Sequence, residues 1–208
     1  SGGIKANKVD IVVNGMTSGV SDMQIIADSI RTSAALVDLP ANYLHVSSYV
    51  EYAQRCCAYL ASEAGGNHPV SCKVIRGTEL EEAGFGGLYG VGKASVHPPA
   101  LVVLSYTPRA TEAAAKKSYC MVGKGIVYDT GGLSIKVPPN MCGMKGDMGG
   151  SAAVFGAFLS LIQAQALPGS SADRPVHAVL CIAENSITDN ATRPDDIHVM
   201  LSGKSVEI

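Results

Sequence analysis

Four short apolar runs constrain this chain more than any other feature: Val70–Ile75, Ala100–Tyr106, Ser118–Val122 and Val176–Glu184. Each has the length of a strand, is rich in β-branched residues and carries little charge, the pattern of strands buried on both faces. Helical patterns stand between and before them. Ser21 precedes Gln24 by three residues ahead of a periodic apolar run, a capping box that opens a helix running to Leu39 and ended by Pro40. A second helix is predicted over Ser48–Ala64, closed by Gly65 and Gly66. A third covers Asp147–Leu167, whose small and apolar residues suit close packing on a sheet. A further strand is expected over Lys8–Asn14, followed by a turn over Gly15–Gly19. Strands alternating with helices argue an α/β domain with a mixed, largely parallel sheet flanked by helices. The expected linkers are the N-terminal dozen residues, Thr107–Lys117 and Leu167–Pro175.

Composition narrows the function. With 208 residues, 47% of them hydrophobic and 16% charged, the chain can bury a sizeable core. A formal net charge of -2 makes no basic field for nucleic acid or an anionic membrane surface, so neither is expected as a partner. No run reaches the about 18 apolar residues that cross a bilayer, and the N-terminus has no signal-peptide core, so a cytoplasmic location is expected. Six cysteines, Cys56, Cys57, Cys72, Cys120, Cys142 and Cys181, lie in or beside apolar runs without metal-site or disulfide spacing. Buried, reduced thiols are the expectation.

Two familiar motifs fail on inspection. In "GLYGVGKAS", Gly87, Gly92 and Lys93 fit a phosphate-binding loop, but Ala94 stands where Ser or Thr should hold magnesium. A proline pair and a strand follow it, where a phosphate loop would open a helix. The five histidines are scattered singly, with no HExxH pair, and no GxSxG elbow exists. His177, opening an apolar run, is expected to be a hydrogen-bonded core residue.

The chemistry concentrates instead in "VGKGIVYDTGGLSIK" and "MKGDMGG". Lys124, Asp129, Lys136 and Asp147 fall within twenty-four positions on a glycine-rich background. Lys124 is expected where the run Ser118–Val122 leaves the sheet and Asp129 at the end of a short strand, the usual place for sites in α/β proteins. Asp147 is expected to open a helix, where free N–H groups favour a carboxylate. Taken singly, Asp147 reads as an N-cap, and Lys124 with Asp129 as an ion pair at a strand edge; glycines at such density let backbone approach a ligand closely.

These segments resemble the metal-binding core of the leucyl (cytosol) aminopeptidase family, two-metal exopeptidases, with matching spacings from VGKG through Asp-Thr-Gly-Gly and Ser-Ile-Lys to Met-Lys-Gly-Asp-Met-Gly-Gly. "PANYL", "GFGGLYGVGKAS" and Glu184–Ile208 resemble other landmarks of the family, so the likeness runs from about Val20 to the C-terminus. It implies that Lys124 ligates one metal through a neutral amine, a form that a dication and burial favour. It further implies that Asp129 bridges two metals, that Asp147 ligates the lysine's metal, and that Lys136 is catalytic, remaining cationic to stabilise the developing oxyanion. The implied cofactors are two divalent ions, Zn or Mn before Mg or Co, with bicarbonate as proton shuttle. The implied reaction is attack of a metal-bridging hydroxide on the first peptide bond of a substrate with a free N-terminus, by a homo-oligomer, in the family a hexamer.

The chain ends at Ile208, before the Asn-Thr-Asp-Ala-Glu-Gly-Arg segment that carries the family's remaining ligands and its bicarbonate-binding arginine. On the resemblance it therefore holds half the site. Residues 1–39 correspond to an N-terminal strand and interdomain linker helix, and residues 40–208 to the N-terminal part of the catalytic domain. A bare sheet edge is expected, so that the chain needs further strands or another chain to fold cleanly. The alternative reading is a non-catalytic member acting as an assembly or regulatory module.

Overall fold

A computed structural model describes residues 20–66, 68–109, 116–165 and 174–208. The strand expected over Lys8–Asn14, the turn Gly15–Gly19 and most of the two inner linkers lie outside the described residues.

Helix α1 spans Val20–Asp38, so Ser21 sits inside its first turn and does not cap it. Helix α2 spans Val46–Ala61 and begins earlier than the periodicity predicts, because His45 caps it. The His45 Nδ1 accepts from the Ser48 N–H at 3.2 Å, while the His45 N–H donates to Ser48 Oγ at 3.0 Å, a reciprocal capping box. Ser62 ends α2 and starts a short 3-10 turn, Glu63–Gly65, which Gly66 closes at φ +100°.

The main sheet contains β1 (Val70–Arg76), β2 (Ala100–Tyr106), β3 (Tyr119–Asp129) and β4 (Val176–Asn185), in the order β1-β2-β4-β3. β2 runs antiparallel to both β1 and β4; β3 runs parallel to β4. The sheet is mixed, and among the described strands its parallel part is the pair joined by a helical crossover, α5 (Gly149–Gln165). This connectivity brings the C-terminal ends of β1, β3 and β4 to one end of the sheet.

Burial alternates along the strands, correcting the expectation of two buried faces. Val176, Ala178, Leu180 and Ile182 of β4 are buried, and their partners on β2 are Tyr106, Leu104, Val102 and Ala100. This face carries the core; the residues between are mostly half-buried. Val46, Tyr49, Val50, Ala53, Cys57 and Leu60 of α2 recur at helical spacing and close over it beside Ala152, Phe155 and Ile162 of α5. Each such Val, Leu, Ile or Phe contributes about 1.5–3 kcal/mol by leaving water. The two helices meet where Tyr49 Oη lies 3.1 Å from Ser151 Oγ; burial pushes the Tyr49 phenol up to about 12, so it stays a neutral hydrogen-bonding group. α1 lies on α5 through small residues, with Ser33 Oγ donating to the Ala152 carbonyl at 2.9 Å. His177 Nδ1 meets Ser105 Oγ at 2.9 Å, the hydrogen-bonded place expected for it.

The segment that mimics a phosphate loop has a packing role. After the short helix α3 (Thr78–Glu82), Gly86–Gly92 forms α4, which puts Lys93 at a helix C-terminus. A Cβ on Gly86 would lie 2.3 Å from the Val199 carbonyl oxygen, and one on Gly90 2.4 Å from the His198 ring. These glycines let the hairpin of β5 (Ile197–Val199) and β6 (Ser205–Glu207) settle directly on the helix. Of the cysteines, Cys57 is buried and Cys56, Cys72 and Cys181 are half-buried, but Cys120 and Cys142 are exposed, contrary to the expectation of buried thiols. Among the described residues no helix is long and apolar enough to cross a membrane.

Candidate metal centre

β3 is one continuous strand, and Lys124 stands within it, not in a loop beyond it as the runs of apolar residues predicted. The flanking glycines interrupt the hydrophobic pattern, yet they pair with Leu180 and Ile182 like any strand residue. Their purpose is steric. A Cβ on Gly123 would lie 2.5 Å from Ser151 Cα and 2.7 Å from the Gly150 oxygen, and one on Gly125 2.8 Å from the Cys181 oxygen. The bare backbone of β3 thus admits the first turn of α5 at contact distance.

That approach delivers Asp147 to Lys124. The segment before α5 makes a 3-10 turn, Met144–Gly146, and Asp147 follows it, two positions short of the first helical residue, so it does not open the helix. The Asp147 carbonyl accepts from the Ile126 N–H at 3.3 Å, anchoring the segment to β3. Lys124 Nζ then lies 2.9 Å from Asp147 Oδ1 and 2.8 Å from Oδ2. Oδ1 accepts a hydrogen bond from Nζ, and the buried Oδ2 is held by the ion pair with Nζ and accepts no hydrogen bond besides.

The second pair forms at the end of β3. Lys136 Nζ lies 3.1 Å from Asp129 Oδ2. Asp129 Oδ1 accepts from the Gly131 N–H at 2.9 Å and from Asn185 Nδ2 at 2.8 Å. The loop between reverses through Gly131 and Gly132 at φ +86° and +62°, a conformation L side chains avoid. Thr130 locks it to β4, its hydroxyl donating to the Asn185 carbonyl at 2.6 Å and its N–H at 3.1 Å. Burial is the largest influence on Asp129 and pushes its carboxyl up. The Gly131 N–H, the Lys136 ammonium and the Asn185 amide together outweigh it and hold the carboxyl below its ordinary value.

All four residues singled out in the sequence therefore join in two carboxylate–lysine pairs, Lys124 with Asp147 and Asp129 with Lys136, both involving β3. Among the described residues no hydrogen bond or ion pair joins one pair to the other, and no three His, Cys, Asp or Glu side chains converge. Sequence reasoning missed Asn185. Its one signal is position: a polar amide at the last residue of β4, after Glu184, at the end of the sheet where β3 also ends. The donors fit a divalent cation. A lysine nitrogen and two carboxylates form a mixed N/O set of the kind that Zn or Mn accepts, and among the described residues the buried Asp147 Oδ2 has no neighbour but the Lys124 Nζ to meet its charge.

Comparison with known proteins gives these motifs a family. The model for the cytosol aminopeptidase family, catalytic domain, matches residues 31–208. The human probable aminopeptidase NPEPL1 is 46% identical over 210 residues, covering 98% of this chain and 37% of that protein. Among solved structures, Leishmania major leucyl aminopeptidase in complex with actinonin superposes with a TM-score of 0.83 at 41% identity, over 95% of this chain and 35% of the other. The bottromycin maturation enzyme BotP in complex with Mn gives a TM-score of 0.76 at 30% identity, over 90% and 37%. The chain spans little more than a third of the length of these relatives. Its sequence over residues 31–208 and its α/β fold agree: the chain belongs to the cytosol aminopeptidase family and carries part of that family's catalytic domain.

Proposed function

We propose that this chain forms part of a metal-dependent aminopeptidase that releases N-terminal amino acids from peptides. The observation that carries the reading is the pairing of Lys124 with Asp147 and of Asp129 with Lys136 on and beside β3, within a segment that the family model matches. Lys124, Asp129 and Asp147 are the residues of this chain that would hold metal. Two divalent ions, Zn or Mn before Mg or Co, would act as Lewis acids on the scissile carbonyl and on water. Further ligands, and an arginine for bicarbonate, would come from outside these 208 residues.

The chain's own side chains then have distinct tasks. Asp147 and Lys124 hold the β3 side of the site, with the first turn of α5 fixing the carboxylate in place. Asp129 anchors the Lys136 ammonium through Oδ2, keeping a positive charge at the sheet edge, where it can stabilise an oxyanion. Asn185 and Gly131 fix Oδ1, so that the carboxylate cannot rotate away. Residues 1–39 are proposed as a linker to a preceding domain and residues 40–208 as the first part of the catalytic domain. The cytoplasmic setting and the hexamer rest on the family resemblance.

The test is turnover of leucine amide by the intact protein with added Mn or Zn, with and without a chelator. Chelator-sensitive release of leucine is expected, and Asp129→Ala should remove both metal, by elemental analysis, and turnover. Absence of turnover from the intact, metal-loaded protein sinks the enzymatic reading in favour of a non-catalytic module; metal retained by Asp129→Ala sinks the role of that residue.

A further inference from the structure

A second polar cluster lies at the same end of the sheet, around β1, the strand at the opposite edge from β3. Arg76, the last residue of β1, and Lys93, at the C-terminus of α4, line a cavity of about 460 Å³ together with Thr78, Glu79, Tyr89 and Ser95. Both cations are half-buried, and among the described residues neither forms a salt bridge. The carboxylates nearby form no salt bridge with either cation among the described residues. Glu184 accepts from Ser95 Oγ at 3.1 Å and from Ser186 Oγ at 2.9 Å. Asp196 feels Lys93 but is held by the Arg193 guanidinium at 2.9 and 3.2 Å. Glu79 also lines the cavity, and it is exposed.

The arginine is braced from behind. One guanidinium nitrogen donates to Ser47 Oγ, which also meets His97 Nδ1 at 3.2 Å, and His97 stacks on His45 with ring centroids 3.7 Å apart. A guanidinium anchored at one nitrogen keeps others for a ligand, and its planar fork matches the oxygens of a phosphate or carboxylate. Two half-buried positive charges that form no salt bridge among the described residues, on a wall that also bears hydroxyl donors, leave a desolvation cost that an anion would offset. The volume falls within the range of small-molecule sites and exceeds what a bare ion needs.

We propose that this cavity is a binding site for a small phosphate-bearing ligand, held between Arg76 and Lys93 with Thr78 and Tyr89 as neutral donors. The lysine is the one in the phosphate-loop spacing, but its place at a helix C-terminus means that its side chain, not a cradle of backbone amides, meets the anion. The site is separate from the carboxylate–lysine pairs on β3 and does not depend on the aminopeptidase reading.

The test uses the intact protein freed of metal by a chelator, so that an anion cannot report on a metal centre. Inorganic phosphate, and citrate as a carboxylate counterpart, are titrated calorimetrically at constant ionic strength. Saturable phosphate binding is expected, weakened at least tenfold by Lys93→Gln and by Arg76→Gln. Because Arg76→Gln also removes the Ser47 bond and can unfold the region, Lys93→Gln decides. Phosphate binding unaffected by Lys93→Gln, or no saturable binding at all, overturns the proposal; citrate bound in preference to phosphate overturns the phosphate assignment.

Discussion

Asn185 Nδ2 donates to Asp129 Oδ1 at 2.8 Å, across the only parallel strand pair of the described sheet. The register breaks between Ile126 and Asp129, and this break brings Asp129 opposite Asn185. The amide thus does for the carboxylate what outer partners do around metal ligands: it sets the orientation of the ligating group. Asn185→Ala is expected to weaken metal binding about 10–100-fold, the usual effect of deleting such a partner. Calorimetric titration of the intact protein with Mn or Zn measures this directly, and unchanged affinity would remove Asn185 from the site.

Lys136 makes a separable prediction. If its ammonium serves the developing oxyanion, Lys136→Met should retain metal while kcat falls about 10²–10³-fold, with a smaller change in KM. Metal content and steady-state kinetics on one preparation distinguish this from a structural role, in which metal would be lost with activity.

Gly123 and Gly143 offer a steric contrast. An added Cβ at Gly123 meets backbone of α5 at 2.5 Å, whereas at Gly143 nothing lies within 4 Å and only the φ of +87° resists substitution. Gly123→Ala should destabilise by about 1–3 kcal/mol through displacement of the α5 turn, and separate Lys124 from Asp147. Gly143→Ala should cost about 1–2 kcal/mol, the left-handed penalty, and leave metal binding intact. Denaturant midpoints and metal affinities of both variants check the contrast.

His45 makes the α2 cap sensitive to acid. Burial is the chief cause that lowers its pKa, with the His97 ring and the Arg76 cation acting in the same direction and the Glu184 carboxylate against them. A folded value below the unfolded one means that the unfolded chain takes up the proton more readily. The stability contribution is therefore full above the ordinary value of 6.5 and is lost as pH falls from there through the folded value. Protonation also removes Nδ1 as acceptor for the Ser48 N–H, a cap worth about 1 kcal/mol. Thermal melts between pH 8 and 5 (assay range, on the order of the His titration window) should show Tm falling with acid, and His45→Asn, which keeps a cap acceptor, should flatten that slope.

β3 forms one edge of the described sheet, and Val122 and Tyr119 on it are 65% and 56% exposed. An open apolar edge pairs with whatever strand it meets. The 208-residue chain by itself is expected to self-associate, with Val122→Lys reducing this in light scattering; a monomer with a sharp cooperative melt would contradict it.

The strands of the main sheet, the three long helices and the four charged residues were legible in the sequence because each rests on local chemistry: β-branched runs, helical periodicity, and carboxylates and lysines set among glycines; the short helices α3 and α4 were not. The helix starts at α1 and α2 were misplaced, since a histidine cap such as His45 has no strong local signature. Tertiary structure alone decided the rest. Lys124 reads as a loop residue because Gly123 and Gly125 break the apolar pattern, yet pairing with β4 carries the strand through both glycines, and their missing side chains admit α5. Asp147 faces Lys124 for that reason, not because it caps a helix. Asn185 reaches Asp129 only because a parallel crossover sets the ends of β3 and β4 side by side, a relation between residues 56 positions apart. Local preference determines which segments become strands and helices; which ligands meet depends on backbone approach across the sheet, which spacing along the chain does not encode.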